Sequence, residues 1–186
     1  MARENWFFGL PIDGTFLLSL PALPTGFRLY EPIDVHVTLA FLGPCDEAAA
    51  QRALAALDAQ RVQLPREAIR VRLAEVTAMG ARRHYTALSA LLSDGREQTE
   101  ALIAELRDPL ADAANARRDE RKPKAHVTLA RPSRRATESE RTAGLEWAAS
   151  LDLRAVTSNI DRVALYRWSE DRRERLFRVV AERPFG

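Results

Sequence analysis

The chain has one cysteine, two lysines and no long apolar run, and the shortages of cysteine and of apolar runs each exclude a class of protein. The single cysteine, Cys45, excludes an internal disulfide framework and a cysteine-rich zinc site, and is typical of a thiol in a reducing compartment. Residues 1–5 do not join a cationic start to an apolar segment, so the sequence predicts neither a signal peptide nor a membrane span. We therefore expect a cytoplasmic protein with no membrane partner.

What remains is an ordinary globular composition. Of the 186 residues, 46% are hydrophobic and 29% are charged, which is enough to build a core in one domain or in two small lobes. The formal net charge is only +2, and Lys122 and Lys124 are the only lysines, so arginine supplies nearly all the positive charge. Arginine binds phosphate bidentately, which makes local arginine clusters informative, although a genome biased toward arginine and alanine codons would produce the same overall usage.

A pentapeptide, HVTLA, occurs twice, at residues 36–40 and 126–130. The chain has only three histidines, and two of them begin these copies, 90 residues apart. Valine, threonine and leucine favour extended backbone, and side chains of a strand alternate between its faces. Each copy therefore places an imidazole and a hydroxyl on one face, above an apolar underside. Two such strands side by side would bring two imidazoles and two hydroxyls into one cleft.

Two histidines and two threonines suit chemistry at phosphorus. Histidine exchanges protons near neutral pH, so one ring can give a proton to a leaving oxygen while the other takes one from water. Threonine hydroxyls can donate hydrogen bonds to phosphoryl oxygens as negative charge builds on them. This chemistry needs no metal and no cofactor, and the pattern alone leaves open which histidine is the acid.

Alternation, helical spacing and turn residues divide the rest of the chain into strands and helices. The predicted strands are 6–10, 36–43, 69–76, 84–92, 126–130, 159–168 and 176–181, and the predicted helices are 46–60, 97–117 and 137–151. Asp46 is the predicted cap of the first helix, Thr137 and Glu140 form a capping box for the third, and Pro109 should kink or split the second. We expect a single domain, 1–186, with comparable halves of roughly 1–75 and 76–186.

Longer segments around the repeat resemble a known family. Residues 36–43, HVTLAFLG, and 125–131, AHVTLAR, are similar to the paired signatures of the 2H phosphoesterase superfamily. More closely, they resemble the RNA 2',3'-cyclic phosphodiesterases of bacteria and archaea, also called 2'-5' RNA ligases. Residues 7–11 and 163–167 are similar to the first and C-terminal strands of that family, so the resemblance covers nearly the whole chain.

The resemblance implies an α+β, bilobal fold in which two pseudo-symmetric antiparallel sheets face a central cleft, with helices on the outside. It also implies metal-independent hydrolysis of RNA 2',3'-cyclic phosphate ends to 2'-phosphates, with reversible 2'-5' ligation as a side activity. By position, His36 corresponds to the proton donor and His126 to the base that activates water. Thr38 and Thr128 would hold the phosphate, and Arg131 matches an arginine that binds substrate phosphate.

Two substrate-binding assignments depend on local geometry. Arg131 lies five residues after His126, so strict alternation places it on the opposite face, and it reaches the cleft only if the strand twists or bulges. Phe8 or Phe7, on the first strand, could stack on the terminal base or could equally be ordinary core residues. The segment 15–30 departs from the family, whose members carry an amphipathic helix there.

Other basic and histidine residues have simpler interpretations. His84 lacks a threonine partner and is expected to be structural. The basic connector at 117–124 is a solvated loop or a surface that attracts polyanions toward the cleft. Arg172, Arg173 and Arg175 are predicted to be surface charges in a hairpin turn.

Three functions stay open on the sequence alone. The first is the RNA-end phosphodiesterase. The second keeps the chemistry but takes a small cyclic-phosphate nucleotide or a 2'-5' oligonucleotide. The third is a non-catalytic module that binds RNA ends, which would not require two titrating groups. The expected partner is RNA with 2',3'-cyclic phosphate ends or a small nucleotide, and the expected state is a monomer.

Overall fold

The computed structural model describes residues 4–81, 84–172 and 175–186. Residues 1–3, which belong to the segment without signal-peptide character, and Arg173 lie outside these ranges. Within them, the strands are β1 (Glu4–Pro11), β2 (Phe27–Leu29), β3 (His36–Cys45), β4 (Ile69–Ala81), β5 (His84–Leu92), β6 (His126–Pro132), β7 (Thr157–Ile160), β8 (Arg162–Trp168) and β9 (Phe177–Pro184). The α-helices are α1 (Glu47–Ala59), α2 (Arg96–Ala113) and α3 (Glu138–Ser150).

The paired strands are antiparallel, and the expected α+β class is confirmed. One half of the sheet runs β3-β1-β8-β9 and the other runs β7-β4-β5-β6, with β2 beside β6. The two halves meet where β3 pairs with β6, through Val37 and Val127. The two expected sheets are therefore joined into one curled sheet by the two strands that carry the repeat. The division of the chain into halves near residue 75 stays a prediction.

The helices pack against the sheet, as expected. α2 contacts β3 and α1, whereas α3 contacts β4 and β5. Asp46 caps α1 by accepting a hydrogen bond from Ala49 N at 2.8 Å, and the capping box of α3 is present, which confirms both predicted helix starts. The second helix is not split at Pro109, and it ends at Ala113 rather than near residue 117. Leu106 and Leu110, one turn apart, are fully buried and stabilise the helix on both sides of the proline.

One predicted strand is divided in the structure, and the described segment before β3 contains no α-helix. The expected strand 159–168 is two strands, because β7 pairs with β4 whereas β8 pairs with β1 and β9, in different halves of the sheet. Between β1 and β3, where every residue is described, the chain forms only short 3-10 helices and β2, so the segment that departs from the family indeed lacks an α-helix.

Apolar side chains form a larger core that includes Phe8, Leu10, Leu39 and Leu106, and a smaller one that includes Tyr85 and Trp147 beneath α3. Among the described residues, no helix combines the length and apolar character needed to span a bilayer.

Candidate active site

The two copies of the repeat lie side by side. β3 and β6 are antiparallel and pair at Val37 and Val127, so continuing that register places His36 opposite Thr128 and Thr38 opposite His126. Residues that face each other across an antiparallel pair point to the same side of the sheet. All four side chains therefore lie on one face, as the sequence predicted. Thr128 is also fixed from β5, because its Oγ1 lies 3.3 Å from Ser89 Oγ.

Both imidazoles are held in the same way. Nδ1 of His36 lies 2.7 Å from the backbone oxygen of Asp34, and Nδ1 of His126 lies 2.6 Å from that of Lys124. A carbonyl oxygen can only accept, so each Nδ1 carries the hydrogen and donates it. In the neutral ring, the lone pair is then on Nε2. Each histidine thus uses one nitrogen for orientation and keeps the other for proton transfer.

An aromatic cage surrounds the ring of His36. The ring centroid lies 4.8 Å from Phe7, 5.4 Å from Tyr166 and 5.3 Å from Phe177, the last meeting it edge-on. A Cβ built on Gly9 would lie only 3.1 Å from His36 Cδ2, so the glycine leaves space that the imidazole needs. The ring is therefore held by packing as well as by its hydrogen bond.

Burial keeps the histidines neutral. Loss of hydration lowers the pKa of His36 to about 4, a shift that the bond to Asp34 opposes and that Arg131 and His126 reinforce. Burial also lowers the pKa of the half-buried His126, with Lys124, Arg121 and Arg131 acting in the same direction. Both rings are accordingly neutral in the free protein at pH 7. A bound phosphate would favour the protonated form of either ring, because it adds a nearby negative charge.

Asp34 is a site residue that the sequence analysis missed. Its buried carboxylate accepts hydrogen bonds from the backbone N–H groups of Leu176 and Phe177, at 3.0 and 3.2 Å. Burial raises the pKa of this carboxyl group and the two backbone bonds partly offset the rise. Asp34 thus binds the start of β9 with its side chain and His36 with its carbonyl. No local pattern reveals this, because the partners are more than 140 residues away.

Arg131 reaches the face of the histidines because β6 contains a bulge. Ser89 of β5 pairs with Thr128, but Leu88 pairs with Ala130, so Leu129 is an extra residue and the alternation is reset. The guanidinium carbon of Arg131 lies 5.8 Å from the centre of the Tyr30 ring, and its charge acts on both histidines. The bulge that Arg131 needs in order to reach the cleft is therefore present.

The structure does not bring Phe8 to the cleft. Phe8 is fully buried in the larger core, so its ring has no exposed face for a base, and the expected stacking role is not supported there. Phe7 faces the histidines but is only 3% exposed, because it packs against His36, Tyr166 and Phe177. Its ring supports the imidazole instead.

Phe41 has the exposure that Phe8 lacks. β3 carries the same bulge as β6, since Gly9 pairs with Thr38 but Phe8 pairs with Ala40, which makes Leu39 the extra residue. Phe41 consequently lies on the face of Thr38 and is 53% exposed. It lines a groove of about 750 Å³ together with residues 114–121, which include the start of the basic connector. Phe41 follows His36 by five positions, as Arg131 follows His126, and this spacing was the signal available in the sequence.

The remaining candidates lie apart. His84 is exposed at the start of β5. Among the described residues, no group of three or more histidine, cysteine or acidic side chains is arranged to hold a metal ion. The thiol of Cys45 is half-buried, and its pKa is raised by burial.

Comparison with known proteins gives one family match and several structural matches. A family model described as the 2'-5' RNA ligase superfamily matches residues 25–172. The TT0787 protein of Thermus thermophilus superposes with a TM-score of 0.71 at 18% identity, over 97% of each chain. E. coli LigT complexed with NADP+ superposes with a TM-score of 0.68 at 15% identity, over 100% of this chain and 99% of that one.

A more distant structural match is Usb1 of Kluyveromyces marxianus, with a TM-score of 0.54 at 12% identity, over 88% of this chain and 93% of that one. A search of curated protein sequences gives no match. At these identities the solved structures establish the shared fold.

The buried histidine makes stability depend on pH. The pKa of His36 is about 4 in the folded protein, against about 6.5 in an unfolded chain. Between these values only the unfolded chain binds the proton, so the free energy of unfolding falls as the pH drops from about 6.5 to 4, by up to about 3 kcal/mol. We predict that His36→Gln flattens this dependence in urea unfolding measured at several pH values. His84→Gln, which removes an exposed histidine, should keep the wild-type slope, and an unchanged slope in His36→Gln would refute the assignment.

Proposed function

The chain belongs to the 2'-5' RNA ligase superfamily of 2H phosphoesterases, and on that premise we propose that it hydrolyses RNA 2',3'-cyclic phosphate ends to 2'-phosphates. Membership of the superfamily and the likeness to LigT and Usb1 support a phosphoesterase activity in general terms. The finer assignment rests on one observation. Two neutral imidazoles, each oriented through Nδ1 by the carbonyl two residues earlier, share a face with two threonine hydroxyls.

In the proposed reaction, Nε2 of His126 takes a proton from water as the water oxygen bonds to phosphorus. The bond from phosphorus to the 3' oxygen breaks, and Nε2 of His36 supplies the proton that completes the 3' hydroxyl. Thr38 and Thr128 donate hydrogen bonds to the phosphoryl oxygens. A 5' hydroxyl in place of water would give a 2'-5' linkage by the same proton transfers, so ligation uses the same groups.

The free protein holds His36 neutral, so the proposed acid gains its proton with the substrate. The cyclic phosphate is an anion, and its charge acts strongly on a ring that is shielded from water. Binding of the phosphate therefore raises the pKa of His36 from its low value toward the working pH. The charge of Arg131 lowers the pKa of His36, so the bound cyclic phosphate has to offset this effect as well as the burial of the ring.

The alternative substrate is a small cyclic-phosphate nucleotide. The comparison structures of E. coli LigT include complexes with 3'-AMP, ATP and NADP+, so a single nucleotide or dinucleotide binds to that relative. RNA is favoured here because the groove that Phe41 lines is also bordered by residues 117–121 of the basic connector, whose arginines attract phosphates. We assign base stacking to Phe41, whose ring is exposed on the face of the site.

Replacing either proposed proton-transfer group should abolish most of the activity. We expect His36→Ala and His126→Ala each to lower kcat by about 10²–10⁴-fold on a short RNA with a 2',3'-cyclic phosphate, because each loses one acid–base step. The assay is run in EDTA and follows conversion of the cyclic end into an RNA 2'-phosphate end. His84→Ala serves as the matched control and should retain wild-type turnover. Near-wild-type activity in either site variant, with the fold retained by circular dichroism, would rule out the two-histidine mechanism.

Removing the exposed ring should weaken binding rather than chemistry. Stacking of a base on an aromatic side chain contributes about 1–3 kcal/mol, so Phe41→Ala should raise KM by roughly 5- to 150-fold with little change in kcat. Leu18→Ala, which truncates another exposed apolar side chain, is the control and should leave KM unchanged. Equal KM values for wild type and Phe41→Ala would remove the stacking assignment.

A further inference from the structure

Four arginines surround Tyr30 and Asp34 at the end of the site near His36. Arg28 and Arg131 approach from β2 and β6, and Arg172 and Arg175 from the connection between β8 and β9. The charge of Arg172 acts on Tyr30, Arg131, Arg28 and Asp34, and that of Arg175 acts on Asp34. We call these four residues the arginine cluster.

Strand pairing crowds two of these charges. Arg28 and Arg131 are direct partners in the β2–β6 ladder, so their side chains lie on the same face, and that face is the one that carries His126 and Thr128. Like charges directly opposite each other destabilise a strand pair. The guanidinium group of Arg131 lies over the ring of Tyr30. The fold nevertheless keeps the positive charges of Arg28 and Arg131 next to each other.

The other two arginines are not the surface charges that the sequence predicted. Arg172 is half-buried and stacks on Trp168, with its guanidinium carbon 4.1 Å from the ring centre. The Nε atoms of Arg172 and Arg175 are both buried and have no hydrogen-bond partner among the described residues. A buried donor without a partner costs free energy, which a bound anion would recover.

Several arginines elsewhere in the described chain pair with carboxylates. Such ion pairs join Arg118 to Asp112, Arg121 to Asp119, Arg154 to Asp152 and Arg183 to Asp58. At the centre of the cluster the buried carboxylate is that of Asp34, and its two oxygens already accept hydrogen bonds from the backbone of β9. Neither buried Nε donor forms a hydrogen bond with this carboxylate.

The position of the cluster indicates what the anion is. Arg131 lies three residues beyond Thr128, roughly 10 Å along the strand, so the cluster begins about one nucleotide away from the reacting phosphate. We propose that the arginine cluster binds a second phosphate of the substrate, the 5'-phosphate of the nucleotide whose 2',3'-cyclic phosphate is opened. This rests on the proposed function and narrows it: the substrate carries both phosphates, as an RNA end does, and a nucleoside 2',3'-cyclic phosphate does not.

Two substrates that differ only in the 5'-phosphate test this directly. Wild-type kcat/KM for adenosine 2',3'-cyclic phosphate 5'-phosphate should exceed that for adenosine 2',3'-cyclic phosphate by at least about tenfold, the effect of a charge-assisted hydrogen bond. In Arg172→Gln and Arg28→Gln the ratio of the two kcat/KM values should fall toward one. Arg70→Gln, which removes an exposed charge from β4, should keep the wild-type ratio and controls for the change in net charge.

A binding measurement separates this inference from the proposed function. Calorimetric titration with adenosine 2',5'-bisphosphate and adenosine 2'-phosphate requires no turnover, and the bisphosphate should bind at least about tenfold more tightly to the wild type but not to Arg172→Gln. Absence of turnover of a short RNA with a 2',3'-cyclic phosphate end would contradict the proposed function, while the titration, which needs no turnover, would still decide the role of the cluster. Equal affinities in the wild type, or a preference retained in both cluster variants, would overturn the cluster's role.

Discussion

The site depends on one hydrogen bond made twice, from the Nδ1 of a histidine to the carbonyl two residues before it. Because a carbonyl can only accept, the bond fixes the neutral tautomer and leaves Nε2 for chemistry. The pairing of Val37 with Val127 then turns two separate strands into one site. One pentapeptide alone could not form this site, because a single copy supplies only one imidazole and one hydroxyl.

The two copies are not equivalent, and their differences indicate how the work is divided. His36 is enclosed by Phe7, Tyr166 and Phe177, whereas His126 is half-buried. Five positions beyond the histidine, one copy carries an exposed phenylalanine and the other an arginine, and equivalent bulges turn both to the same face. An approximately symmetric backbone thus presents an aromatic ring at one end of the site and positive charge at the other, as a nucleotide with a base and a phosphate requires.

The repeat allowed the α+β class, the neighbouring strands and the four central side chains to be predicted, because their pattern is local and occurs twice. The position of Arg131 in the cleft could be predicted only conditionally. Strict alternation places its side chain on the opposite face, and only a one-residue bulge turns it toward the histidines. The sequence left Phe8 open between stacking on a base and a place in the core, because a strand covered on both faces gives no alternation to read, and its full burial supports the core position. No local pattern reveals the roles of Asp34, Arg172 and Arg175, because their contacts join residues more than 130 positions apart. The division between β7 and β8 is equally hidden, because it depends on which strands they pair with.

The most direct measurement is a long-range ¹H–¹⁵N spectrum of the histidine rings in the free protein at pH 7. The account predicts that His36 and His126 are both neutral with the proton on Nδ1, because each Nδ1 donates to a carbonyl and burial lowers both pKa values. A proton on Nε2 in either ring, or a protonated ring in the free protein, would contradict it.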